Sequence, residues 1–137
     1  MSKKRKTSRG QLVQSYAEKI SAKLLEQHRD TVKVVIGRKS GVYVLSKAGK
    51  PYYVGLASEL PSRINHHLRD RHAGNWDRFN FYAIRRQKYL KDLESILIRV
   101  ANPDGNRLKG GFGKNKNLRQ KLRNEIIQSV KADFDGQ

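Results

Sequence analysis

The 137 residues suit one compact domain, and with 36% of them hydrophobic the chain can bury a core, which excludes a wholly disordered polymer. Lys and Arg number 30 against 12 Asp and Glu, leaving a net charge of +18 that self-repels unless a polyanion neutralises it, so nucleic acid is the expected partner. The absence of Cys excludes disulfides, thiolate zinc sites, iron–sulfur clusters and a Cys nucleophile; no apolar run nears the roughly 18 to 20 residues that cross a bilayer, and no apolar leader follows Met1, so no membrane partner is expected and the chain is placed inside the cell, cytoplasmic or nucleoid-associated.

Residues 1–10 carry Lys3, Lys4, Arg5, Lys6 and Arg9 with almost nothing apolar. Such a segment cannot offset the entropy of ordering, and a disordered basic arm is expected, followed by a single domain over 11–137. Across 11–28, Leu12, Tyr16, Ile20 and Leu24 recur every four positions, flanked by Val13 and Leu25, which predicts an amphipathic helix. The next run, with Val32, Val34, Val35 and Ile36, has strand propensity but is short enough to be a helical turn, and both readings stay open.

From Gly41 two β-rich runs, 41–47 and 51–55, flank the turn Ala48, Gly49, Lys50 and predict a hairpin. A three-residue turn at Ala48 to Lys50 pairs Leu45 with Tyr53 and Tyr43 with Gly55, which puts both tyrosines on one face, and another register stays open. Leu60, Ile64 and Leu68 mark a helix over 59–71, with Ser58 as N-cap and Pro61 in its first turn. Residues 78–86 alternate as a third strand, 88–101 form a helix closed by Asn102-Pro103, and 102–113 are Gly- and Asn-rich loop. Leu118, Leu122, Ile126 and Val130 then predict a last helix over 116–131. The expected fold class is α+β, a small three-stranded antiparallel sheet flanked by helices, with additional N- and C-terminal helices.

Two helices carry residues that do not fit a plain core-and-surface division. At about 100° per residue from Leu90, Glu94 falls near 40°, inside the arc of Leu93, Leu97, Ile98 and Ala101, while Asp92 and Arg99 fall on the opposite side. A carboxylate on a buried face calls for a cation, either an Arg or a metal ion, and the readings of a structural ion pair or of a Glu at the edge of the stripe stay open beside a functional one. On the preceding helix Arg63 and His67 are i, i+4 neighbours beside the apolar stripe and are expected to point inward together, with His66 and Arg69 projecting elsewhere.

Gly41-Val42-Tyr43, then Tyr53-Val54-Gly55, then Arg63, His67, Glu94 and Asn106 form an ordered set that resembles the GIY-YIG nuclease superfamily. The resemblance covers about residues 41–106. It implies a small antiparallel sheet with helices that hydrolyses phosphodiester bonds of DNA with one divalent cation, Mg²⁺ or Mn²⁺. It further implies Glu94 as metal ligand, Arg63 as the cation beside the scissile phosphate, and Tyr43, Tyr53 and His67 as the base or hydrogen-bonding groups, either tyrosine serving as base. Asn106 is implied as a supporting polar residue near the site. The chain departs from the family in carrying Val in place of Ile in both triplets, and Leu56 where some repair-type members carry Lys.

The expected partner is DNA, duplex or branched, with RNA left open, and the phosphate-contacting residues are expected in the arm (Lys3, Lys4, Arg5, Lys6), around Arg69, Arg71 and Arg78, and on the last helix (Arg119, Arg123). His72, Trp76 and the Gly110–Gly113 loop are placed near a groove, Trp76 as core. The alternative is a non-catalytic basic nucleic-acid-binding protein on the same fold. The complete Tyr, Tyr, Arg, His, Glu set favours the enzyme, because a pure binder has no use for a carboxylate facing phosphate.

Overall fold

The computed structural model describes residues 10–108, 110–113 and 115–136. The arm cations Lys3, Lys4, Arg5 and Lys6 lie outside the described residues. In chain order the elements are β1 (Val13–Ser21), α1 (Ala22–Gln27), α2 (Arg29–Ile36), β2 (Gly41–Lys47), β3 (Lys50–Ala57), α3 (Leu60–His67), β4 (Arg78–Ile84), a 3₁₀ turn (Gln87–Tyr89), α4 (Leu90–Ala101) and α5 (Arg119–Asp135). The strands form one four-stranded antiparallel sheet in the order β1-β4-β2-β3.

The sheet therefore has four strands where the sequence predicts three, and the expected helix over 11–28 is instead β1 followed by the short α1. A four-residue repeat is shared by a helix face and, as a multiple of two, by a strand face, so the spacing of Leu12, Tyr16 and Ile20 does not separate them. What hides the strand's alternation is an irregularity between Ala17 and Ile20, where Lys19 has a φ of 59° and its N–H donates to Asn80 Oδ1 at 2.9 Å. Across this bulge the inward parity changes from Ser15 and Ala17 to Ile20. The run left open around Val32 is helical.

The expected pairs are present, Leu45 opposite Tyr53 and Tyr43 opposite Gly55, but the turn is two residues, Ala48 and Gly49, with Lys47 opposite Lys50, and an irregularity between Leu45 and Ser46 brings the strands to that register. Both glycines of the paired triplets are required by contact. A Cβ on Gly55 would strike the Tyr43 hydroxyl and ring, and one on Gly41 would strike the backbone of Tyr82 and Ala83. The α3 helix spans Leu60–His67 where 59–71 is predicted, its N-cap is Glu59 in place of Ser58 and makes no side-chain cap bond, and Pro61 sits in the first turn as predicted.

Two cores lie on opposite faces of the sheet. On one, Tyr43, Leu45, Phe79 and Phe81 pack against Leu25, Ile36, Leu60, Ile64 and Trp76. On the other, Val42, Val54 and Ile84 pack against Ile98, with Leu90, Leu93 and Leu97 of α4 partly buried around them. Burying side chains such as Phe79, Leu45 and Leu60, each 0% exposed, contributes about 1.5 to 3 kcal/mol apiece. These cores hold α3 and α4 over opposite faces near β3, and that placement fixes the site. The last helix spans Arg119–Asp135 where 116–131 is predicted, and its apolar residues Leu122, Ile126 and Val130 are exposed. No helix among the described residues is long and apolar enough to cross a membrane.

Candidate active site

Tyr43 stands in the middle of the first core, 1% exposed, because Gly55 opposite leaves room for its ring. Its hydroxyl lies 2.6 Å from His67 Nε2 at the end of α3, and the other ring nitrogen, Nδ1, lies 2.8 Å from Asp70 Oδ2. With a carboxylate accepting at Nδ1, that nitrogen carries the proton, and Nε2 accepts from the Tyr43 hydroxyl. Asp70 is itself oriented by the backbone N–H of His72, which donates to Oδ1 at 2.9 Å. The result is a continuous Tyr43–His67–Asp70 chain.

Electrostatics keep Tyr43 and His67 neutral at rest and Asp70 ionised. Burial lowers the His67 pKa from 6.5 to about 4, with Asp70 pulling the other way. Burial also pushes the Tyr43 phenol above the usual tyrosine range, helped by Tyr53 and opposed by the Arg63 guanidinium. For Asp70, partial burial is outweighed by the His72 N–H and the His67 ring, which hold the carboxyl below its ordinary value.

Tyr53 joins this cluster to a cavity. Its ring centroid is 6.1 Å from that of Tyr43, 5.3 Å from His67 and 4.5 Å from His72. It also lines a hollow of about 380 Å³ shared with Arg71, Lys91, Glu94, Asn106 and Arg107. Glu94 is half-buried there, as the α4 arithmetic predicts; burial raises its carboxyl pKa and Lys91 lowers it. Asn106 binds the backbone of Val54 twice, accepting from its N–H at 2.9 Å and donating to its carbonyl at 2.8 Å, and so pins the strand beside Tyr53.

Arg63 differs from the inward orientation predicted with His67. It is exposed while His67 is 3% exposed, and it lines a separate hollow with Ser58, Glu59, Ser62 and His66. An always-charged guanidinium stays in water unless paired, and among the described residues it forms no ion pair with a buried carboxylate. Its influence on Tyr43 places it electrostatically at the rim of the cluster. Arg69, Arg71, Arg78, Arg119 and Arg123 are all exposed.

The sequence reading missed Asp70, Lys91 and Arg107, and gave His72 only a groove-shaping place. His72 is 2% exposed and its Nδ1 lies 2.9 Å from the Tyr52 hydroxyl. A carboxylate three residues beyond an inward-facing His at a helix end was the available signal for Asp70.

Among the described residues, two places can hold a cation. Donor atoms of His67, Asp70 and His72 lie within 4.8 Å of one another, but His67 Nδ1 and Asp70 are already engaged with each other, and an ion there displaces that bond. Glu94 makes no hydrogen bond or ion pair among the described residues, and its partly desolvated carboxylate facing a polar cavity fits a hard divalent cation.

The chain superimposes on a point mutant of the GIY-YIG N-terminal endonuclease domain of UvrC from Thermotoga maritima bound to its catalytic divalent cation. The TM-score is 0.50 at 22% identity, covering 58% of this chain and 96% of that one. Two further point mutants of that domain, also with the catalytic divalent cation, match with TM-scores of 0.50 at 21% identity over the same shares of the two chains. No protein-family model and no curated relative matches the sequence. The likeness is one of fold, and the chain has a GIY-YIG-like fold.

Proposed function

We propose that the protein is a divalent-metal-dependent endonuclease that hydrolyses phosphodiester bonds in DNA. The observation that carries this reading is the junction at Tyr53, one ring that packs on the Tyr43–His67 pair and also lines the cavity of Glu94. A proton-accepting chain thus ends beside a carboxylate fit for a cation, the two parts phosphodiester hydrolysis needs.

The chain's residues divide the work by their exposure. Tyr53 faces the cavity, so its hydroxyl oxygen takes the proton of the attacking water. Tyr43, buried behind it, passes on one proton and receives another, and His67 Nε2 accepts the last. Asp70 then faces an imidazolium and stabilises it, so each transfer leaves the phenols neutral. A divalent cation held by Glu94, when bound, supplies a Lewis acid for the phosphate oxygens. Arg63 at the rim offers two parallel donors to the same phosphate.

The test is incubation of the purified chain with labelled duplex, single-stranded and branched DNA, with and without Mg²⁺ or Mn²⁺, beside a Glu94→Gln control. Metal-dependent cleavage lost in the control supports the reading. Salt-sensitive binding without cleavage under any metal replaces it with the binding-protein alternative.

A further inference from the structure

The cavity beside Glu94 holds more positive charge than one phosphate requires. Arg71, Lys91 and Arg107 all line it, with Glu94 the one carboxylate among its lining residues. They come from three separate segments, the loop after α3, the first turn of α4 and the loop after α4. All three open onto that one hollow, where Lys91 acts on the Glu94 carboxyl while Arg71 and Arg107 act on the neighbouring His72 ring.

Two of these segments are braced. Arg71 Nη2 donates to the Gly105 carbonyl at 3.2 Å, which ties its guanidinium to the loop carrying Arg107. Farther along that loop, Gly110 lies so close to the Ser95 backbone that a Cβ would collide with it, and Arg99 Nη1 donates to the Gly110 carbonyl at 2.9 Å. Arg99 also stacks its guanidinium 5.1 Å from the Phe112 ring centroid. The loop is thus fastened on both sides of Arg107, to Arg71 before it and to α4 after it. Arg63, the cation assigned to the reacting phosphate, lines a different hollow.

We infer that Arg71, Lys91 and Arg107 form a second phosphate subsite, which holds the backbone phosphate next to the scissile one. The inference rests on the nuclease reading and narrows its substrate to a polynucleotide strand, since a lone diester leaves three converging cations unneutralised. A phosphate there repays the mutual repulsion of these side chains by charge-assisted hydrogen bonds and counterion release.

The test compares the full chain with a Lys91→Ala/Arg107→Ala double variant, and with a Lys23→Ala/Lys33→Ala variant that loses the same charge from α1 and α2. Arg71 is left intact because it also braces Gly105. Binding of a short fluorescent DNA duplex in EDTA is titrated against salt. Cleavage of that duplex and of bis(p-nitrophenyl) phosphate, a diester with no neighbouring phosphate, is followed in saturating Mg²⁺.

The subsite predicts that the slope of log affinity against log salt becomes shallower by about 1 in the Lys91/Arg107 variant, one phosphate contact. The DNA concentration for half-maximal cleavage rises about tenfold, while hydrolysis of the small diester stays within about twofold. An unchanged slope, an equal change in the Lys23/Lys33 variant, or a matching collapse on the small diester overturns it. The slope is read without catalysis, so a chain that cleaves nothing but shows the site-specific slope change refutes the nuclease reading and keeps the phosphate site. Cleavage with an unchanged slope does the reverse.

Discussion

The Tyr43 hydroxyl reaches His67 Nε2 at 2.6 Å across 24 residues of chain, and it does so inside the hydrophobic core. A hydroxyl–imidazole pair in that environment is costly unless both partners are satisfied, and Asp70 on the far ring nitrogen completes the pairing.

Stability should fall in acid over a window set by His67. Its pKa drops from 6.5 unfolded to about 4 folded, so between these values the unfolded chain binds more protons. The contribution is full above pH 6.5 and declines as pH falls towards 4, by roughly 3 kcal/mol in all. Asp70, held below its ordinary 3.8, adds a further loss only at still lower pH. Urea unfolding at several pH values checks this, and His67→Gln should flatten the dependence between 6.5 and 4.

Asp70→Asn should leave the fold in place and lower cleavage by about a hundredfold or more, since the amide fills the same space but does not stabilise an imidazolium. Ring-nitrogen chemical shifts of His67 separate this from simple misfolding: the ring should remain buried while its tautomer preference weakens. Activity near wild type would remove Asp70 from the proton path.

For Glu94→Gln the expectation is loss of metal-dependent cleavage with unchanged or slightly higher stability. Burial already raises this carboxyl's pKa, so at neutral pH a charge is being held where a neutral amide is cheaper to place. Thermal melts with and without Mg²⁺ provide the second readout. Mg²⁺ should raise the melting temperature of the parent chain and not that of the variant.

Arg63→Lys keeps the charge but not the planar pair of donors, and should lose more than about tenfold in single-turnover rate, equivalent to over roughly 1.4 kcal/mol. Because Arg63 is exposed, folding should be unaffected. A rate within a factor of about ten means that diffuse charge at the rim is sufficient.

The parts of this architecture legible in the sequence were those whose pattern is local. The hairpin was legible from its two β-rich runs, and Glu94 stood out because it falls inside the apolar arc of α4 while Asp92 and Arg99 fall opposite. β1 was lost because Lys19 interrupts the alternation that would distinguish a strand from a helix. Lys91 and Arg107 were missed for a different reason: each is an ordinary surface-type residue until tertiary packing brings its segment beside the cavity, whereas Asp70, three residues beyond His67, carried a local signal that was not used. The outward turn of Arg63 reflects hydration, which a helical wheel does not weigh.

The double bond between Asn106 and Val54 has a consequence for the chain's neighbours in solution. β3 is an outer strand of the sheet, and its outward-facing amide and carbonyl at Val54, with the Tyr52 carbonyl, are taken up by the Asn106 side chain and the Gly105 N–H. A single side chain and the turn beside it thus stand where the next strand of a growing sheet would dock. Replacing Asn106 with Ala should therefore leave the Val54 N–H and carbonyl vacant on that edge, and the variant should be more prone to self-association through it than its loss of folding stability alone would cause.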